Sequence, residues 1–168
     1  MAVGDRIKRV RNFRKMTMKE LGMAVGFDES SADVRIAQYE NNSRKPKEEL
    51  LRKIAEALDV SYYYLALSEP SCVADVMYTL FEVDELYSSV HLPNVVDDTD
   101  PDYPEKRVGV CFNALVLQGF LKEWQLRKEQ LHNGEITKEE YMEWKLGWPN
   151  TADNCGRHKP SKAWRKNE

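Results

Sequence analysis

Between Ala32 and Pro46 the sequence reads ADVRIAQYENNSRKP, and the side chains there that could do chemistry are hydrogen-bonding forks and cations, not nucleophiles. Arg35 and Gln38 stand three residues apart, so a helix projects them side by side. An arginine can donate two hydrogen bonds to guanine, and a glutamine amide can pair donor and acceptor with adenine, both through edges that a major groove exposes. Val34 and Asp33 complete the candidate base-reading set. Asp33 also has a plainer reading, an anion in the first turn of a helix where the backbone dipole favours it. Asn41-Asn42 then stops the helix, because Asn tolerates a left-handed turn. Ser43, Arg44, Lys45 and Lys47 follow at once, the composition of a loop that grips phosphates, with Asn41 at its start.

These residues need a helix held against a neighbour. Ile36 and Ala37 suit that packing, on a face distinct from that of Arg35 and Gln38. Thr17 followed by Glu20 is a capping box that opens the preceding helix. Its exposed N–H groups, with Thr17 and Lys19 beside them, make a phosphate anchor. Leu21, Ala24 and Val25 turn inward and Gly26 ends the helix. Ser30 or Ser31 is placed to cap the next one. A first helix over 5–15 turns Ile7 and Val10 inward and leaves Arg6, Lys8, Arg9, Arg11 and Arg14 on or near the wet side, as a solvated face or as phosphate contacts. A fourth, over 47–58, carries Leu50, Leu51, Ile54, Ala55 and Leu58 at helical spacing. Ser61 caps a short fifth over 62–67, whose tyrosines either close the bottom of the head or join a dimer seam.

The stretch Tyr39-Glu40-Asn41-Asn42-Ser43-Arg44-Lys45-Pro46 resembles the helix-turn-helix of phage repressors and Cro-like proteins, the Xre family. The resemblance reaches back through Thr17-Met18-Lys19-Glu20-Leu21 to Gly4-Asp5-Arg6-Ile7 and forward to Leu51, Ile54-Ala55, Leu58 and Val60-Ser61, about the first 69 residues. It implies a five-helix head that binds double-stranded DNA. Two departures stand out. The usual Gly of the exit turn is Asn42, which also accepts positive φ. The turn after Gly26-Phe27 carries about four additional residues, Asp28-Glu29-Ser30-Ser31, compared with that family's compact turn.

The chain is 168 residues long with a net charge of −3, unpromising for a partner of DNA until the charge is divided. Residues 1–53 hold 13 Lys/Arg against 8 Asp/Glu, whereas residues 70–105 hold 9 Asp/Glu and no Lys or Arg. A basic head precedes an acidic module. No apolar run approaches a membrane span and no signal-peptide core opens the chain, so a cytoplasmic, nucleoid-associated protein is expected. Cys72, Cys111 and Cys155 are odd in number and far apart, which suggests neither a disulfide framework nor a metal site.

Ser68 to Ser71, with Pro70, reads as the junction. A helix follows over 73–88, with Val73, Val76, Met77, Leu80, Phe81 and Leu86 apolar and Asp75, Glu82, Asp84 and Glu85 polar. Segments around 88–93 and 107–113 are expected to pair as two strands across the acidic, proline-rich loop 97–104. A helix over 114–131 stops at Asn133-Gly134, and a second capping box, Thr137 with Glu140, opens another to about Leu146. These two are expected to form an antiparallel helical hairpin, and the basic residues after Trp148-Pro149 a disordered tail from Arg157 to Glu168. The fold class is therefore mainly α: a five-helix head over 1–69, a small α+β or α-helical C-terminal domain over 70–150 for dimerisation, sensing or partner binding, and a tail over 151–168.

GEITKEEYMEWK is similar to tail regions of uncharacterised repressor-like proteins in Firmicute mobile elements. No phosphate loop, serine elbow, metal motif or self-cleaving Ser–Lys context is visible, so neither a cofactor nor an enzyme is expected. The expectation is a sequence-specific repressor of a phage or mobile element, a homodimer on a pseudo-palindromic operator. The alternative is a two-part anti-CRISPR-type protein whose head autoregulates and whose acidic domain binds and inhibits a nuclease.

Overall fold

The computed structural model describes residues 1–67, 72–87, 90–97 and 105–165. Helices α1 to α5 span Val3–Phe13, Met18–Ala24, Ala32–Glu40, Glu48–Ala57 and Tyr62–Ala66, and α6 spans Val73–Tyr87. Strands β1 to β4 cover Val90–His91, Asn94–Asp97, Glu105–Val108 and Cys111–Phe112, before α7 (Leu115–His132) and α8 (Lys138–Gly147). The architecture is mainly helical with a small two-stranded hairpin region, as expected. None of the helices, among the described residues, is long and apolar enough to cross a membrane.

The chain divides into two compact units. The first comprises Met1–Glu69, Thr137–Thr151 and Pro160–Glu168. Its core gathers Ile7 and Val10 of α1, Leu21 of α2, Ile36 of α3 and Ile54 of α4 with Leu65 of α5, all without exposed surface. The capping box at α2 forms as the spacing implies: the Glu20 amide donates to Thr17 Oγ1 at 3.1 Å, and the Thr17 amide to the Glu20 carboxylate at 2.7 Å. Gly22 is required where α2 meets α3, because a Cβ there would lie 2.6 Å from the Ala32 carbonyl. The lengthened segment between these helices folds on itself. The Phe27 amide closes α2 on the Gly22 carbonyl at 2.9 Å, and the Ser31 amide reaches the Asp28 carbonyl at 2.9 Å. Ser31 takes the N-cap position of α3, but its hydroxyl makes no cap bond.

Three of the α1 arginines leave the wet face. Arg11 is buried and grips the buried Glu40 carboxylate through Nε and Nη2, at 2.5 and 2.9 Å, so the end of α3 is fastened to α1. That hydrogen-bonded carboxylate raises the Arg11 pKa further. Arg6 donates to the Leu65 and Leu67 carbonyls, and Arg14 to the Leu58 carbonyl and the Glu143 carboxylate. A helical wheel assigns charge to solvent by default, whereas here α1 lies beside chain ends whose orphan carbonyls need donors.

Two expectations about the C-terminal part are corrected. The helix α8 belongs to the first unit and α7 to the second, so they do not form a two-helix module of their own. Leu146 is fully buried in the head's core, and its carbonyl accepts from the Ser61 amide at 2.8 Å. The tail is also folded through residue 165: Thr151 and Trp164 are buried, and Lys162 donates to the Asp59 carbonyl at 2.7 Å. One tryptophan and one buried threonine anchor a segment whose composition is otherwise that of a solvated chain.

The second unit comprises Pro70–Ile136 and Ala152–Lys159. In it β1 pairs antiparallel with β4 (Val90↔Phe112) and β2 with β3 (Asn94↔Val108 to Asp97↔Glu105). These are two ladders of one ribbon, since the register carries through and the Gly109 amide bonds the Pro93 carbonyl between them at 2.9 Å. The acidic loop expected between the strands lies, but for Asp97, outside the described residues. Helix α7 ends as read, with Asn133 as C-cap and Gly134 at φ 74°. It buries two charged residues: Glu123, which accepts from the Asp153 and Asn154 amides, and Arg127, 2.5 Å from the Asp153 carboxylate.

Candidate nucleic-acid interface

The two faces of α3 separate as its sequence demands. Ala32, Ile36 and Glu40, four residues apart, are buried, while Asp33, Val34 and Arg35 are exposed and Gln38 is half-buried. Asp33 folds back on the first turn, its carboxylate accepting from the Val34 amide at 2.8 Å. Arg35 does not extend freely: its guanidinium lies 4.7 Å from the centroid of the Phe27 ring, which stacks on Tyr39 at 6.5 Å. Cation–π contact of this kind orients a planar fork without neutralising it.

The helix exit is tightly built. Asn42 adopts φ 61°, the left-handed conformation expected of it, and its side-chain oxygen accepts from the Gly4 amide at 3.0 Å. A glycine would supply the turn but not that bond. A Cβ on Gly4 would meet the Tyr39 carbonyl at 2.1 Å, so α1 begins in van der Waals contact with the end of α3. Beyond the turn, Asn41 Oδ1 accepts from the Ser43 amide at 2.9 Å, and the Ser43 hydroxyl lies 2.6 Å from the same oxygen and 3.1 Å from the Gln38 carbonyl. Asn41 and Ser43 thus shape the loop, and Arg44 and Lys45 are the exposed cations it presents.

Those cations edge a groove of about 590 Å³. Arg35, Arg44, Lys45, Lys47 and Lys53 line it with Phe27, Tyr39 and Glu49, and Glu49 is itself paired with Lys53 at 3.1 Å. Five cations around one committed carboxylate make a site for polyanions. Lys53 and the Phe27–Tyr39 stack were not legible as part of it. Lys53 lies in a helix whose amphipathic pattern says only that it is exposed, and its nearness to Arg44 is set by how α4 docks.

Lys19 stands exposed at the start of α2 beside Thr17, but its ammonium is 2.7 Å from Glu29 of the lengthened turn. The Glu29 carboxylate raises the Lys19 pKa, and Lys19 lowers that of Glu29. A phosphate at this helix start meets a cation already engaged. No group of His, Cys, Asp and Glu among the described residues is arranged to hold a metal ion.

A tri-helical packing in which α2 buttresses α3, with α3 offering an exposed polar face beside cationic loops, is a helix-turn-helix unit, the class that lays a helix into duplex DNA. Residues 4–69 match the family described as a helix-turn-helix domain, and the chain carries that domain. The crystal structure of transcriptional regulator BswR is similar at 30% sequence identity, over 51% of this chain and 94% of that one, with a TM-score of 0.39. No curated protein matches the chain.

Proposed function

We propose that the protein is a sequence-specific DNA-binding transcriptional repressor, acting as a dimer on a pseudo-palindromic operator and occluding a promoter. The observation that carries this reading is the exposed face of α3 bordered by the five-cation groove. Arg35 and Gln38 are the base readers, with Val34 and Asp33 beside them, and the groove's lysines and Arg44 hold the backbone. Thr17 and Lys19 at the α2 N-terminus contribute a second phosphate contact, and Asn41 and Ser43 hold the loop that presents Arg44 and Lys45. Two heads on one operator read half-sites about 34 Å apart or a multiple of it.

The test compares an operator duplex with a scrambled one at fixed salt. Arg35→Ala lowers operator affinity by about one to two orders of magnitude and leaves the scrambled duplex nearly unchanged, the loss of about 1–3 kcal/mol of discrimination. Lys45→Ala weakens both alike and reduces the salt slope by about 0.9. An unchanged ratio after Arg35→Ala would refute base reading by this residue.

A further inference from the structure

Arg35 projects from the exposed face of α3, and an arginine free to turn there would lose much rotamer entropy on meeting a base. Carboxylates are the common partners that hold a guanidinium still. Here Glu29 of the preceding turn is engaged with Lys19 at 2.7 Å, Asp33 of α3 with the Val34 amide at 2.8 Å, and Glu49 of the groove with Lys53 at 3.1 Å. What faces Arg35 is a ring: its Cζ lies over Phe27, 4.7 Å from the centroid.

That ring is fixed from three sides. Gly26, at φ 93°, ends α2 in a left-handed turn, with the Gly26 amide on the Met23 carbonyl at 3.0 Å and the Phe27 amide on the Gly22 carbonyl at 2.9 Å. These two bonds set the Phe27 backbone where the lengthened turn begins. The side chain is half-buried against the head's core, and it stacks on Tyr39 with the two rings 22° from parallel. Arg35 and Tyr39 are four residues apart and so neighbours on one face of α3, which lets a single ring from the exit of α2 touch both.

We propose that Phe27 is the positioning residue for base recognition, a flat shelf that holds the Arg35 guanidinium in one orientation for two hydrogen bonds to one guanine. The inference rests on the reading of Arg35 as a base reader and names what makes that reader selective. A phosphate accepts a cation from many directions, whereas two parallel bonds to a base edge demand a fixed plane. An aromatic face supplies the plane and, being uncharged, leaves the positive charge for the DNA. Loss of the ring therefore costs discrimination and spares general affinity.

Affinities for two duplexes test this, one selected from random sequence by the wild-type protein and one scrambled from it, both at the same salt concentration. Phe27→Leu, which keeps an apolar side chain, lowers the ratio of the two affinities by about two- to fivefold, the worth of an exposed cation–π contact. Binding to the scrambled duplex is unchanged. Phe27→Trp restores the ratio, because indole offers a cation the best face. In an Arg35→Ala background, Phe27→Leu lowers the ratio no further, a coupling that a merely structural ring would not show. In the free protein the Arg35 side-chain protons shift upfield in the field of the ring, and Phe27→Leu abolishes that shift. Should the Leu variant not fold, the wild type decides: the upfield shift persists with the selected duplex bound, and its loss there overturns the shelf. Equal losses on both duplexes, a Trp variant no better than Leu, or additive losses in the double variant also overturn it. A ratio that falls with Arg35→Ala but not with Phe27→Leu overturns the shelf alone, whereas one that falls with neither removes the base reading beneath it.

Discussion

In the first unit, side chains from opposite ends of the sequence meet in one core, with Ile36, Ile54 and Leu146 fully enclosed. In the second, α6 buries none of its described side chains, and α7 buries Glu123 and Arg127, a pair of charges held by the loop around Asp153. The composition of the two is not the cause, since ten of the fifteen residues of α6 are apolar. What differs is the arrangement. The head's helices are short and cross several partners, so each stripe is covered within one chain. The second unit spreads its apolar residues over two helices and a ribbon, and among its described residues only Ile136 is a buried hydrophobic.

The largest break in that contrast comes from the head's buried ion pair. Arg11→Ala leaves Glu40 buried and uncompensated, and chemical denaturation should show a loss of about 3–5 kcal/mol. Next is Leu146→Ala. It removes a side chain that lies far along the sequence but fully inside the head's core, so it should cost about 2–5 kcal/mol. By contrast Val116→Ala, 74% exposed on α7, should change stability by under about 0.5 kcal/mol at concentrations where the chain is dissociated. A large loss at Val116, or none at Leu146, would erase the distinction between the units.

The head was legible because its signals are local. The Thr17–Glu20 box, the left-handed Asn42 and the burial of Ile36 under an exposed Arg35 follow from spacing and side-chain type alone. What sequence did not disclose depends on pairing at long range. Arg11 finds Glu40 and Arg14 finds Glu143, 29 and 129 residues away, and no periodicity encodes either. The same holds for α8, whose capping box at Thr137 was visible but whose partner was not, and for Trp164, a lone aromatic in a basic stretch. In the interface, residue types marked Arg35, Arg44 and Lys45. The stacking of Arg35 on Phe27 and the Lys19–Glu29 pair needed the fold of the lengthened turn.

The smallest effect is a titration, and it asks whether the start of α2 is held by its own cap or only by the core beneath. Glu20 is held below its ordinary pKa of 4.5, first by the Thr17 amide and then by the Thr17 hydroxyl. A carboxylate depressed in the folded state contributes stability that is fully present above its unfolded pKa and is lost as pH falls through the folded value. The window is therefore acidic, opening below about pH 5 as the unfolded chain begins to take up the proton. An NMR titration should show the Glu20 carboxyl and the Thr17 amide moving together, with a midpoint under 4.5. Glu20→Gln keeps the reach of the side chain but not its charge, so it should abolish this titration while preserving the Thr17 amide's bond. A Thr17 amide that moved with pH equally in the Gln variant would show that other groups govern the helix start, and the local cap would cease to distinguish α2 from α3, whose Ser31 makes no cap bond.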